Sequence, residues 1–101
     1  MREYTKSHEW IDTDNRIATV GLTRAAIKEI GEVVYVELPS VGKSVAAGQE
    51  ACVVESTKAA VDIASPVSGT ICAINEALNS NISLLNTSSE AEGWLFQVKL
   101  I

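Results

Sequence analysis

Cysteine, proline, histidine and aromatic residues are all scarce in this chain. Among its 101 residues are two cysteines, two prolines and one histidine, and aromatics make up 5%. Cys52 and Cys72 each sit inside an apolar run, CVVE and TICAIN. Two cysteines exclude a disulfide-dense scaffold. One bridge is arithmetically possible, but with no secretory signal in view buried free thiols are the expectation. The lone histidine, His8, has no second ligand-type residue nearby in sequence, so a packing or hydrogen-bonding role is expected rather than a metal site. A catalytic set of nucleophile, base and orienter could draw only on Cys52 or Cys72 with His8. Both thiols lie in expected core strands, where thiols are inert, so an enzyme is not expected.

Clustered positive charge is also missing. Eight Lys and Arg are scattered singly against 13 Asp and Glu, for a net charge of −5. Phosphate and anionic-membrane binding draw their affinity from grouped Lys and Arg, so both are disfavoured. No stretch approaches the ~18–20 consecutive apolar residues of a membrane span. The opening MREYTKSHEW has neither the apolar core of a signal peptide nor the Arg/Ser-rich, acid-poor look of a transit peptide, so a cytoplasmic protein is expected.

What is present is the composition of a globular chain, 47% apolar and 21% charged. Its length suits one domain, residues 1–101, able to hide roughly 60–65% of the surface of the unfolded chain. IATVGL reads as a strand closed by Gly21. TRAAIKEIG reads as a helix of about two turns, capped by Thr23 and stopped by Gly31. EVVYVEL, ACVVES, VDIAS, GTICAIN and WLFQVKLI read as further strands, and Pro66 with Gly69 marks the turn before GTICAIN. The polar stretch from Asn75 to Glu92 reads as a loop with one helical turn near Ile82 to Leu85. Short strands at ~8–12 residue spacing indicate a mainly β sandwich or barrel. Trp10 and Trp94 are expected to anchor the core or its rim.

A weak internal symmetry centres on Lys58. VGKSVAAGQEACVVES leads into TKAA and VDIASPVSGTICAIN leads away, each half with a glycine-bearing turn and a β-branched strand. CVVES and VDIAS can pair antiparallel, leaving Thr57, Lys58 and Ala59 as the turn. From spacing alone, Lys58 could equally be an ordinary solvated turn lysine.

The run VVESTKAAVDIASPVSG resembles the lipoyl-attachment motif of the glycine cleavage system H protein family. SHEW, IATVGLT, GEVVYVELPSVG, AAGQE, INEALNSN and EGWLFQVKL resemble that family in the same order, from about Tyr4 to Leu100. A biotin carrier would have Met on both sides of the target lysine, where Thr57 and Ala59 stand here. The resemblance implies a lipoyl/biotinyl-type β-sandwich, a flattened barrel-sandwich hybrid, with Lys58 at a hairpin tip and one or two short helices. It implies lipoate joined to Lys58 as N6-lipoyllysine, and a non-catalytic carrier of the aminomethyl group of glycine. The implied partners are a pyridoxal-phosphate (PLP) glycine decarboxylase, a tetrahydrofolate-dependent aminomethyltransferase, an FAD-containing dihydrolipoyl dehydrogenase, and a lipoate ligase or lipoyl/octanoyl transferase. Ser7, Glu9 and Asp62 would line the resting place of the cationic cargo, and Glu55 would help modifying and partner enzymes read the turn. Solvated surface charge is the alternative for Glu9 and Asp62. A monomer is expected, since no long apolar stripe is evident.

The chain departs from the family pattern at three places. It ends at Ile101 without the family's C-terminal helix, and so reads as a short form. NISLLN lacks a proline after its first Asn, and TSSEAEGW lacks a Pro-Tyr-Gly pattern. An H-like paralogue that stores or relays lipoate, or an unmodified β-sandwich interaction module, stand as alternatives.

Overall fold

The computed structural model describes residues 2–101. In chain order the elements are β1 (Arg2–Tyr4), β2 (Glu9–Asp14), β3 (Ile17–Leu22), α1 (Arg24–Ile30), β4 (Val33–Glu37), β5 (Ser44–Val45), β6 (Glu50–Ser56), β7 (Ala60–Ala64), β8 (Gly69–Ile74), α2 (Ala77–Ser80), α3 (Ser83–Ser88) and β9 (Phe96–Leu100). They form a six-stranded sheet in the order β1-β2-β3-β9-β8-β5 and a three-stranded sheet in the order β4-β6-β7. All pairings are antiparallel. The mainly β expectation holds, as two sheets rather than a closed barrel.

Period-2 burial explains the layering. Cys52 and Val54 of β6, Ile71 of β8, and Phe96 and Val98 of β9 all point inward, where they meet Val20, Leu22, Val36 and Ile63. The symmetry around Lys58 becomes nested pairing, β6 with β7 and, outside them, β5 with β8. Helix α1 is the one anticipated: the Thr23 hydroxyl accepts the Ala26 N–H, and Gly31 closes the C-terminus.

Four features differ from the sequence reading. The segment containing SHEW, read only for its motif, builds strands β1 and β2. Gly21 does not close β3 but lies inside it, paired with Trp10, whose indole fills the space a Cβ would need; the nearest ring atom would be 2.5 Å away. The Asn75–Glu92 stretch holds two short helices rather than one turn. In WLFQVKLI the strand begins at Phe96, leaving Trp94 half-buried ahead of it while Trp10 is fully buried.

The N-terminal strands are clasped onto the loop after α3. The Arg2 guanidinium sits 4.0 Å from the Trp10 ring centre and pairs with Asp12 at 2.9 Å. It also donates to the Glu90 carbonyl at 2.6 Å, while the Glu90 carboxylate accepts the Arg24 N–H at the start of α1. Trp10 Nε1 donates to the Ser89 carbonyl at 2.8 Å. These contacts hold β1, β2 and the start of α1 to the loop after α3.

Candidate functional site

The β6–β7 hairpin places Lys58 in its turn, as the alternation of CVVES and VDIAS anticipates. The turn lacks the Asn-Gly or Gly-Gly of the cheapest hairpins, and Ser56 supplies what is missing. Its Oγ accepts the N–H groups of both Lys58 and Ala59 at 3.1 Å, and its own N–H donates to the Ala59 carbonyl at 2.8 Å. A hydroxyl that satisfies two turn donors fixes the tip without glycine. A serine two residues before the lysine was the sequence signal for this. Lys58 itself is exposed and, among the described residues, forms no ion pair.

Beside the hairpin lies an open cavity of about 550 Å³, between the free edge of β7, helix α1 and the turn from Ser7 to Glu9. Leu22, Ala26, Ile30, Val61 and Ile63 form its apolar walls, and Lys58 lies at its rim. Ser7, Glu9 and Asp62 all line it, so residues separated by more than fifty positions in sequence meet there. Glu55 is not among the lining residues. It is exposed on β6 opposite Tyr35 and Ala60.

Glu9 is the distinctive member, because it is only 6% exposed. Its carboxylate accepts from the Thr5 hydroxyl at 2.7 Å, and that hydroxyl oxygen accepts the Glu9 N–H. A buried carboxylate is costly unless it finds cationic or strong donor partners, so a neutral hydroxyl leaves Glu9 with acceptor capacity for a cation. Thr5 was missed in the sequence; a threonine four residues before the acid was its signal. Asp62 is exposed and faces Glu50, whose carboxyl is pushed above the usual carboxylate range by hydrogen bonding with Asp62 and by its charge.

His8 is not packed as expected. It occupies the left-handed region at φ 68°, with its ring exposed at the cavity rim and Nε2 3.9 Å from a Glu29 oxygen, an ion pair only when the imidazole is protonated. Its backbone does the structural work: the carbonyl accepts the Thr23 N–H, and the N–H donates to the Thr5 carbonyl. Among the described residues no group of three His, Cys, Asp or Glu side chains could hold a metal ion. Both cysteines are free, Cys52 buried and Cys72 half-buried.

Residues 2–101 match the family described as Glycine cleavage H-protein. The chain belongs to the glycine cleavage H-protein family. Relatives named glycine cleavage system H protein include one from Thermotoga maritima, 45% identical over 100 residues, covering 99% of this chain and 81% of the relative. Another, from Alcanivorax borkumensis, is 54% identical over 97 residues, covering 96% and 76% respectively. The crystal structure of a glycine cleavage system H protein from Mycobacterium marinum superposes with a TM-score of 0.93 at 37% identity, covering 98% of this chain and 83% of that one. The two-sheet architecture is therefore the H-protein fold, and the lysine hairpin and cavity stand on it.

Proposed function

We propose that Lys58 is the residue to which lipoate is attached, and that the cavity framed by Ser7, Glu9 and Asp62 is where the loaded arm rests. As a member of the H-protein family the chain is a lipoyl carrier of the glycine cleavage system, not an enzyme in its own right. The observation that carries the assignment to Lys58 is its place: an exposed lysine on a hydrogen-bonded hairpin turn, at the rim of a cavity with apolar walls and a buried acid.

Lipoate, when attached, supplies a dithiolane that accepts the aminomethyl group of glycine and later returns to the disulfide. The chain's own residues supply placement and electrostatics. Leu22, Ala26, Ile30, Val61 and Ile63 offer an apolar bed for a hydrocarbon arm. Glu9, inside a low-dielectric wall, offers a carboxylate to a protonated amine. Thr5 holds that carboxylate in place, and Ser7 and Asp62 add polar groups nearer the solvent. The apolar walls cover the arm on one side, so the carrier holds the cargo without transforming it.

The partners in this reading are the PLP-dependent decarboxylase, the folate-dependent aminomethyltransferase, the flavin dehydrogenase and a lipoate-attaching enzyme. The net charge of −5 favours partners that present basic surfaces. The carrier acts as a monomeric, single-domain protein of the cytoplasm. Among the described residues no helix is long and apolar enough to cross a membrane. Lipoate relay and a bare interaction module are not favoured, because the relatives carry the glycine cleavage name across nearly the whole chain.

Intact mass with peptide mapping, after incubation with lipoate ligase, lipoate and ATP, tests the assignment. One lipoyl increment on Lys58 is expected, and none on Lys58→Arg with its circular dichroism unchanged. Lipoate on the Lys58→Arg variant overturns it.

A further inference from the structure

We propose that a second cavity, between α1 and the end of α3, binds a small dianionic oxyanion of the phosphate class through Arg24, Lys28 and the hydroxyl of Ser89. The cavity holds about 240 Å³ and is lined by Arg24, Ile27, Lys28, Asn86, Thr87 and Ser89. It shares no residue with the cavity beside Lys58, to which α1 contributes Ala26, Glu29 and Ile30 instead. Arg24 and Lys28 stand one turn apart on α1, where like charges repel. Neither side chain forms an ion pair among the described residues, and Arg24 contributes only its backbone N–H, to the Glu90 carboxylate.

Ser89 points to the same place. It is 3% exposed, and its carbonyl accepts the Trp10 indole N–H, yet its hydroxyl has no hydrogen-bond partner among the described residues. Buried hydroxyls are nearly always bonded, because an unpaired one forfeits its hydration. No side-chain nitrogen or oxygen sealed from solvent lacks a partner among the described residues, so the Ser89 oxygen keeps an opening, and the opening that Ser89 lines is this cavity. The remaining polar groups are engaged elsewhere. Asn86 is bonded to Val33 through both Oδ1 and Nδ2, and the Thr87 hydroxyl donates to the Ser83 carbonyl at 2.9 Å. The first turn of α1 is already capped by the Thr23 hydroxyl and the Glu90 carboxylate, so the site is made of side chains and not of the helix end. Glu90 is also turned to Arg2 and the Tyr4 hydroxyl. The free donors are thus a guanidinium, an ammonium and a hydroxyl. Two cations match two negative charges, the guanidinium fork takes two oxygens, and a tetrahedral anion has oxygens left for the others.

The site owes nothing to the reading of Lys58, so unmodified protein serves to test it. Protein labelled with nitrogen-15 is titrated with sodium phosphate at slightly alkaline pH, with sodium chloride keeping the ionic strength constant. Saturable amide shifts are expected at Arg24, Lys28 and Ser89, and none around Lys58. Binding should weaken about tenfold in Arg24→Gln or Lys28→Gln, the scale of one charge-assisted hydrogen bond, and about threefold in Ser89→Ala. Arg24 and Lys28 are exposed, so their variants keep the test open should Ser89→Ala fold poorly. Phenyl phosphate in a parallel titration distinguishes the source: tighter binding than phosphate assigns the site to the end of a larger molecule, and equal binding to the free anion. Shifts that never saturate, or that persist unchanged in Arg24→Gln and Lys28→Gln, overturn the proposal.

Discussion

The side-chain amide of Asn86 bonds in both directions with the backbone of Val33. Its Oδ1 accepts the Val33 N–H at 2.8 Å and its Nδ2 donates to the Val33 carbonyl at 3.0 Å. An asparagine thus stands in for a neighbouring strand at the outer edge of β4, and fastens α3 to the smaller sheet. Asn86→Ala leaves both backbone groups of a buried residue without these partners, and a loss of about 1–3 kcal/mol is expected. In urea the midpoint falls while the slope stays the same. An unmoved midpoint would show that water replaces the amide without cost.

Glu9 carries the next expectation. Replacing it by Gln keeps the shape and the Thr5 contact but removes the charge that faces a cationic cargo. The aminomethyl-loaded carrier should lose its cargo about tenfold faster, the scale of one charge-assisted hydrogen bond. Asp62→Asn should have a smaller effect, because an exposed carboxylate is screened by solvent. Release of ammonia and formaldehyde from loaded protein, followed with time, reads both. Equal lifetimes in wild type and Glu9→Gln would remove Glu9 from the site.

Burial pushes the Cys52 thiol up to about 12 from an ordinary 9.0, with the nearby Glu37 charge adding to the rise. The thiol is neutral in both states below the ordinary value. As pH rises from about 9 toward 12 the unfolded chain ionises and the folded one does not, so stability is lost across that window. Denaturation midpoints measured from pH 8 to 11 should fall more steeply in wild type than in Cys52→Ala. At pH 8.5 iodoacetamide should label half-buried Cys72 well before Cys52. Equal labelling rates in the native protein would contradict the burial.

Much of this was legible in the sequence, and the rest for physical reasons was not. The α1 helix announces itself through Thr23, Gly31 and an apolar spacing of three to four residues, all local signals. The hairpin is equally local, since β6 and β7 are separated by only a turn. Strand β2 was harder: Glu9, Trp10 and Ile11 are all buried, so its first half does not alternate and the period-2 signal is absent. The helices of the Asn75–Glu92 stretch have no side-chain N-cap, which left only polar composition to read. The cavity depends on tertiary placement, and only family resemblance joined Ser7 and Glu9 to Asp62 in advance. Nothing in the spacing marks Gly31 as a neighbour of Lys58, because a missing Cβ is visible only once another chain segment occupies its place.

The larger sheet is held together by pairing between distant parts of the chain. Its central pairing joins Ile17–Val20 to Phe96–Lys99, and Arg2 reaches the Glu90 carbonyl across 88 positions of sequence. The hairpin that carries Lys58 closes over a few residues. Short-range closure is fast and long-range closure must first overcome the entropy of the intervening chain. During refolding the turn that carries Lys58 is expected to close before the wall that Ser7 and Glu9 contribute, and it stays exposed once the chain has folded. The place where the arm is joined is thus built from neighbours in sequence, and the place where it rests from segments far apart.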